Sequence, residues 1–171
     1  FLIVIGVILV NSYTLKTLED DTLQAVASIS YEHTGDFNWK TTRYRTYPRL
    51  YAPFGSTLIE ATGNEEELSI ADEHNKTVFG TFISIEPSDT ETLSFTYTLP
   101  KDLSAKILDG EYNLLIQKQA GTHAHELELN IELPFKIDEI SQNDNLNKSG
   151  NIINADWDLK IDREISAVKN R

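Results

Sequence analysis

The sequence contains no cysteine, so this chain can form neither a disulfide nor a zinc–thiolate site. It also lacks a hydrolase nucleophile elbow, a phosphate-binding loop, a dinucleotide-binding glycine pattern and a zinc-protease helix motif. We therefore expect a non-enzymatic chain with no catalytic residue, no cofactor and no bound metal. The missing cysteine does not identify a compartment, because bacterial surface domains often rely on burial instead of disulfides.

Positive charge is scarce. The 15 Lys and Arg residues face 27 Asp and Glu residues, which gives a formal net charge of −12 at pH 7. Such a surface repels phosphate backbones, so we expect no nucleic-acid partner. The favoured interpretation is that this negative charge keeps the domain soluble and separated from its neighbours. The alternative interpretation is that it binds a cationic partner or calcium.

A length of 171 residues with 40% apolar side chains can build one core without covalent staples. We predict a single domain over residues 11–171. A division near residue 105 into two β subunits is the alternative.

Residues 1–10 (FLIVIGVILV) contain no polar side chain. A membrane-spanning helix needs about twenty apolar residues, so ten are too few. The segment is the end of a truncated anchor, a signal-type apolar region or a buried strand. We expect the first of these, with membrane contact only through this anchor.

The rest of the chain has the pattern of short strands. Apolar side chains recur at every second position from Leu23 to Tyr31, with Gln24, Ser28, Ser30 and Glu32 between them, and the preceding residues supply the partner of a hairpin. Residues 41–53 alternate too, but Pro48 places this strand at an edge or a bend. Only residues 100–109 suggest a helical turn. The pattern predicts an all-β fold, a β-sandwich that is immunoglobulin-like in broad architecture, with ten or eleven mostly antiparallel strands.

Residues 112–134 (YNLLIQKQAGTHAHELELNIELP) are two strand-like runs joined at residues 120–122. Three long polar side chains, at residues 117–119, close the first run. An inward-pointing Lys118 could form an isopeptide crosslink with a neighbouring Asn. An ion pair beside the turn is the favoured reading.

Two segments have a weak resemblance to metal sites. His123 and His125 share one strand face, but a tight zinc or copper site needs further ligands. Residues 145–152 (NLNKSGNI) place oxygen-bearing side chains at alternate positions as a calcium loop does, although Asn and Ser replace its carboxylates. An ordinary strand start and an Asn/Gly turn are the favoured interpretations.

The best candidate for a ligand face is the run in which arginines alternate with aromatic residues. Trp39, Tyr44 and Tyr47 could stack on sugars if their rings are exposed. The favoured alternative has core aromatics on one face and cations protecting an edge on the other. Several carboxylates could act as an acid and base, but no spacing ties any two together: Asp36, Asp156, Asp158 and Asp162.

Several segments of the chain resemble the C-terminal region of a bacterial family, the domain-of-unknown-function family numbered 4012. The resembling segments span most of residues 10–164 and are residues 29–35 (ISYEHTG), 39–56 (WKTTRYRTYPRLYAPFGS), 76–86 (KTVFGTFISIE), 92–100, 112–122 (YNLLIQKQAGT) and 157–164 (WDLKIDRE). The resemblance implies an N-terminal membrane segment, a large outward-facing region and a β-rich end. It brings no established activity and no functional residue.

These observations predict a non-catalytic structural or interaction module at the cell surface, on the extracellular side of a bacterial membrane. Its partner would be an envelope glycan or another surface protein. One alternative is a module that binds carbohydrate or cell-wall polymer. Another is an accessory domain of an envelope enzyme whose catalytic part lies upstream of residue 1.

Overall fold

The computed structural model describes residues 7–39, 41–118, 125–141 and 145–169. Within these ranges the chain is mostly β, as predicted, with fifteen strands and one short helix instead of ten or eleven strands. The elements are β1 (Val7–Thr17), β2 (Leu23–His33), β3 (Tyr44–Thr46), β4 (Arg49–Pro53), β5 (Thr57–Thr62), β6 (Ser69–Glu73), β7 (Lys76–Gly80), β8 (Ile83–Ile85), β9 (Thr90–Thr98), α1 (Lys101–Leu108), β10 (Glu111–Ile116), β11 (His125–Glu132), β12 (Glu139–Ser141), β13 (Leu146–Ser149), β14 (Ile152–Leu159) and β15 (Arg163–Val168).

A seven-stranded sheet forms the largest layer, in the order β13-β14-β11-β1-β2-β9-β5. The predicted first hairpin is present, with β1 antiparallel to β2. On its other side β1 runs parallel to β11, from Val10 beside Glu126 to Leu15 beside Ile131. This parallel pair joins the N-terminal hairpin to the C-terminal strands, so residues on both sides of residue 105 share one sheet.

Alternation along the strands separates a buried face from a polar one. In β11 the side chains of Leu127, Leu129 and Ile131 are buried, and those of the alternate residues Glu126 and Glu128 are exposed. Burying each of these aliphatic side chains is worth roughly 1.5–3 kcal/mol. The alternation therefore determines which face of β11 enters the core.

The arginine-rich segment forms two strands where one was predicted. It breaks after Thr46, so that β3 pairs with β8 and β4 pairs with β7. Pro48 lies at the break and has no N–H to donate to a ladder. Its carbonyl instead accepts a hydrogen bond from the N–H of Thr81 at 3.5 Å, opposite the break between β7 and β8.

The smaller sheets pack on the buried face of the large one. The ring centroid of Phe79 in β7 lies 6.2 Å from that of Phe95 and 5.8 Å from that of Tyr97, both in β9. From the sheet β10-β15-β12, the buried Tyr112 of β10 lies close enough to Tyr13 of β1 for the two hydroxyls to affect each other's pKa. A single buried cluster thus connects residues of all four sheets.

Helix α1 lies where the sequence predicted a helical turn. Its inner side chains, Ser104 and Ile107, are buried, and Gly110 at φ +105° carries the chain into β10. Among the described residues, no helix is both long enough and apolar enough to cross a membrane. Strand β1 begins within the apolar N-terminal segment, at Val7, and residues 1–6 lie outside the described part.

Candidate functional site

The most exposed large aromatic side chains lie on one loop, residues 34–42, which we call the aromatic loop. It connects β2 to β3. The side chain of Trp39 is 89% exposed and that of Phe37 is 67% exposed. Folding normally buries large aromatic side chains. These two exposed rings are therefore the part of the protein surface that most resembles a contact site.

A buried histidine holds both ends of the aromatic loop. His33 is fully buried at the end of β2. Its Nδ1 accepts a hydrogen bond from the N–H of Gly35 at 3.2 Å, and its Nε2 lies 3.2 Å from the carbonyl oxygen of Thr42. These partners require the neutral tautomer with the proton on Nε2, which donates to Thr42. The loop is therefore displayed from a fixed base, whereas Lys40 within it lies outside the described residues.

The three residues predicted as a ligand face have different environments. Trp39 projects from the aromatic loop, while Tyr44 is partly buried and packs against the core. Tyr47 is 40% exposed, and its ring meets Phe82 edge-on at a centroid distance of 4.8 Å. A Cβ on Gly80 would lie only 2.8 Å from the Tyr47 hydroxyl, so this ring lies against the strand. Only Trp39 of the three presents most of its ring to solvent.

The arginines of this region are paired with glutamates. Arg43 pairs with Glu86, and Arg45 pairs with Glu66 and Glu65. The guanidinium of Arg45 also lies 4.0 Å from the centroid of the Phe82 ring. A hydrogen bond from Ser84 and the charge of Arg45 lower the pKa of the Glu65 carboxyl. The positive charges of these arginines are thus largely neutralised by the glutamates, which leaves little positive charge to attract an anionic ligand.

The pair between Arg49 and Glu73 is expected to contribute little to stability. The guanidinium Nη1 lies 2.8 Å and 3.1 Å from the two carboxylate oxygens, but the side chains are 44% and 38% exposed. A double-mutant cycle with Arg49→Met and Glu73→Gln should give a coupling energy below about 1 kcal/mol, which decreases with added salt. Urea unfolding of the four proteins measures it. A salt-independent coupling of more than about 2 kcal/mol would contradict this view of an exposed pair.

The four candidate acid and base residues are not gathered into one site. Asp36 accepts a hydrogen bond from Ser88, and Asp162 accepts one from the Lys118 N–H at 2.8 Å. Asp156 and Asp158 lie on the outer face of β14 opposite two glutamates of β11, in the pairs Asp156–Glu128 and Asp158–Glu126. Like charges directly opposite one another destabilise a ladder, so this arrangement is unfavourable for the sheet. The spacing of residues along one strand does not reveal which residues lie opposite them on the neighbouring strand.

The remaining candidates are placed as follows. His123 lies outside the described residues, and His125 begins β11 as a buried side chain. Residues 146–149 of the calcium-like segment form β13, which Gly150 turns into β14. Within the described ranges there is no group of three His, Asp or Glu side chains that could hold a metal ion. Strand β10 ends at Ile116, just before Gln117 and Lys118.

Comparison with known proteins reveals similarity of fold only. No family model and no curated protein sequence matches this chain. Among solved structures, it is similar to native leukotriene A4 hydrolase from Saccharomyces cerevisiae, with a TM-score of 0.54 and 10% identity over 94% of this chain and 29% of that chain. It is also similar to a putative nutrient binding protein from Legionella pneumophila, with a TM-score of 0.52 and 8% identity over 96% of this chain and 67% of that chain. The chain therefore spans less than a third of the yeast enzyme.

Proposed function

We propose that this chain is a non-catalytic interaction module of a larger, outward-facing bacterial envelope protein. The observation that carries the proposal is the aromatic loop, in which Phe37 and Trp39 are exposed while the buried His33 is bonded to the backbone at both ends of the loop. A rigid base lowers the entropy that a contact residue loses on binding. The loop would make the contact, and the β layers would hold it away from the membrane.

The domain organisation proposed here is one immunoglobulin-like sandwich over residues 11–171. Strands from both sides of residue 105 in the seven-stranded sheet support one unit over two. The packing of the smaller sheets on the larger one supports the sandwich arrangement. The resemblance to the family numbered 4012 is the reason for proposing a bacterial cell-surface location and an N-terminal anchor.

Two alternatives follow from specific observations. Exposure of Trp39 favours a module that binds envelope carbohydrate, although the coverage of Tyr44 and Tyr47 leaves a single ring for stacking. The chain is similar to less than a third of the yeast hydrolase. This partial similarity favours the second alternative, an accessory domain of a larger envelope enzyme. We favour the interaction module over these two alternatives, because the residues of the aromatic loop alone could make its contact.

Replacement of both loop aromatics should abolish binding and leave the fold intact. We expect the immobilised chain to retain an envelope component from a detergent-solubilised membrane fraction, and the Phe37→Ser, Trp39→Ser double variant to lose it. Leu115→Ser with Ile161→Ser is the matched control, because these side chains are 59% and 61% exposed elsewhere on the surface. Mass spectrometry of the retained material measures the difference.

The retained material also separates the alternatives. A cell-wall glycan that wild type retains and the loop variant does not would favour the carbohydrate-binding module. Identical retention by wild type, the loop variant and the control would contradict a role for the aromatic loop.

A further inference from the structure

A second surface feature lies away from the aromatic loop, at the opposite end of β2. A cleft of about 570 Å³ opens where the turn between β1 and β2 meets Gly55 and the start of α1. Pockets that hold small ligands typically measure about 300–1,000 Å³. The cleft is therefore large enough for a small molecule of a few polar groups.

One part of the cleft carries negative charge on a well-defined turn. Asp20 and Asp21 line it, and the N–H of Thr22 donates to Asp20 Oδ1 at 3.1 Å. The hydrogen bonds from Thr22 lower the pKa of the Asp20 carboxyl. A backbone hydrogen bond of 2.8 Å from Leu18 to Thr22 closes the turn. Both residues thus lie at the tip of the turn, where Thr22 holds the carboxylate of Asp20.

A different element supplies a positive charge to the same cleft. Lys101 lines it from the first turn of α1, while Thr57, Thr98 and Ser104 contribute hydroxyl groups. Asp20, Asp21 and Lys101 take part in none of the ion pairs found among the described residues. The cleft therefore combines uncompensated charges of both signs, in contrast to the paired arginines of β3 and β4.

We propose that this cleft binds a small zwitterion, either a free amino acid or a dipeptide. The two carboxylates of Asp20 and Asp21 receive its ammonium group, and the ammonium of Lys101 receives its carboxylate. Charge-assisted hydrogen bonds of this kind are the stronger class. Leu99 and Leu108 in the lining supply apolar contact for the ligand's side chain. The site is separate from the interaction proposed for the aromatic loop and does not depend on it.

Titration with three related peptides tests the proposal. The chain, labelled with ¹⁵N, is titrated with Gly-Leu, with N-acetyl-Gly-Leu and with Gly-Leu amide, and backbone amide shifts are followed by NMR. We expect saturable shifts at the turn of residues 18–22 and at the start of α1 with Gly-Leu. Blocking either terminus should weaken binding about ten-fold or more, because each blocked peptide loses one charge-assisted contact.

Variants identify the groups that recognise each terminus. Asp20→Asn with Asp21→Asn should lower affinity for Gly-Leu and for its amide, but not for the acetylated peptide. Asn keeps an acceptor for Thr22 and tolerates the φ of +61° at residue 21. Lys101→Gln should lower affinity for Gly-Leu and the acetylated peptide only. Glu139→Gln and Lys136→Gln, on exposed residues outside the cleft, should change nothing.

A selective loss of peptide affinity in both cleft variants, each for the peptides that carry the matching terminus, supports the proposal. Absence of saturable binding, equal affinity for the three peptides, or unchanged affinity in both cleft variants would overturn it.

Discussion

Replacing Gly63 by alanine is expected to lower the free energy of unfolding by about 4 kcal/mol. Gly63 follows β5 directly and has a φ of +80°, a region that disfavours every residue with a Cβ. A Cβ here would lie 2.0 Å from the carbonyl oxygen of Thr92 and 2.9 Å from its carbonyl carbon. Because these atoms belong to the backbone of β9, the clash can be relieved only by moving one strand against the other.

A matched substitution at Gly150 isolates the contribution of the clash. Gly150 also has a positive φ, +65°, but a Cβ there would meet no atom within 4 Å. Gly150→Ala should therefore cost only the backbone strain, about 1–2 kcal/mol. Urea unfolding followed by far-UV circular dichroism measures both. Equal losses in the two variants would show that the contact with Thr92 has no energetic effect.

The buried tyrosines should make the fold sensitive to alkali. Burial raises the pKa of Tyr31 to about 12. Burial also raises the pKa of Tyr13, Tyr97 and Tyr112, and the electrostatic interactions among these three residues raise it as well. In the unfolded chain tyrosine has a pKa of about 10. The neutral hydroxyls thus stabilise the fold fully below pH 10, and this stabilisation is lost as the pH rises towards the folded pKa values.

The expected loss is comparable to the total stability of a domain. Tyr97 and Tyr112 each remove about 1.4 kcal/mol per pH unit above pH 10, which amounts to about 5 kcal/mol for the two by pH 12, and Tyr13 acts in the same direction. Domains of this kind are typically stable by about 5–15 kcal/mol. We therefore expect cooperative unfolding near pH 12, in which the tyrosinate absorbance at about 295 nm from these buried rings appears together with the loss of the β-type circular dichroism signal.

Tyr112→Phe provides the control for this alkaline transition. The Tyr112 hydroxyl is buried near Tyr13 but makes no hydrogen bond of good geometry, so its removal should cost little near pH 7. The midpoint of alkaline unfolding should rise by about 0.5 pH unit. Ionisation of all tyrosines well before the circular dichroism changes would contradict the burial of these hydroxyls.

The strands that the sequence predicts best are those with apolar side chains at every second position. The run from Leu23 to Glu32 corresponds to β2, and the second run of residues 112–134 contains β11. Strand β6 (SIADE) was not predicted, because four of its five side chains are exposed and its pattern carries no apolar period. Strand β13 lies in the segment interpreted as an Asn/Gly turn, because it is held by backbone pairing with β14 and three of its four side chains are exposed.

The candidate sites were predicted less well than the strands. An exposed Trp39 agrees with its loop-like surroundings, but the sequence does not reveal that Tyr44 packs on the core or that Tyr47 lies against Gly80. The sequence does not reveal that the arginines are paired, because their glutamate partners are 20 or more residues away in the chain. The cleft was missed altogether, because the segments that form it are far apart in the chain.

By itself the sequence determined the β class, the buried face of each alternating strand and the surplus of negative charge, because these follow from residue type and a period of two. The tertiary structure decided which strands pair, including the parallel pair of β1 and β11. It also decided which charges are compensated and where a cleft opens. These features depend on contacts between distant segments, which no local pattern encodes.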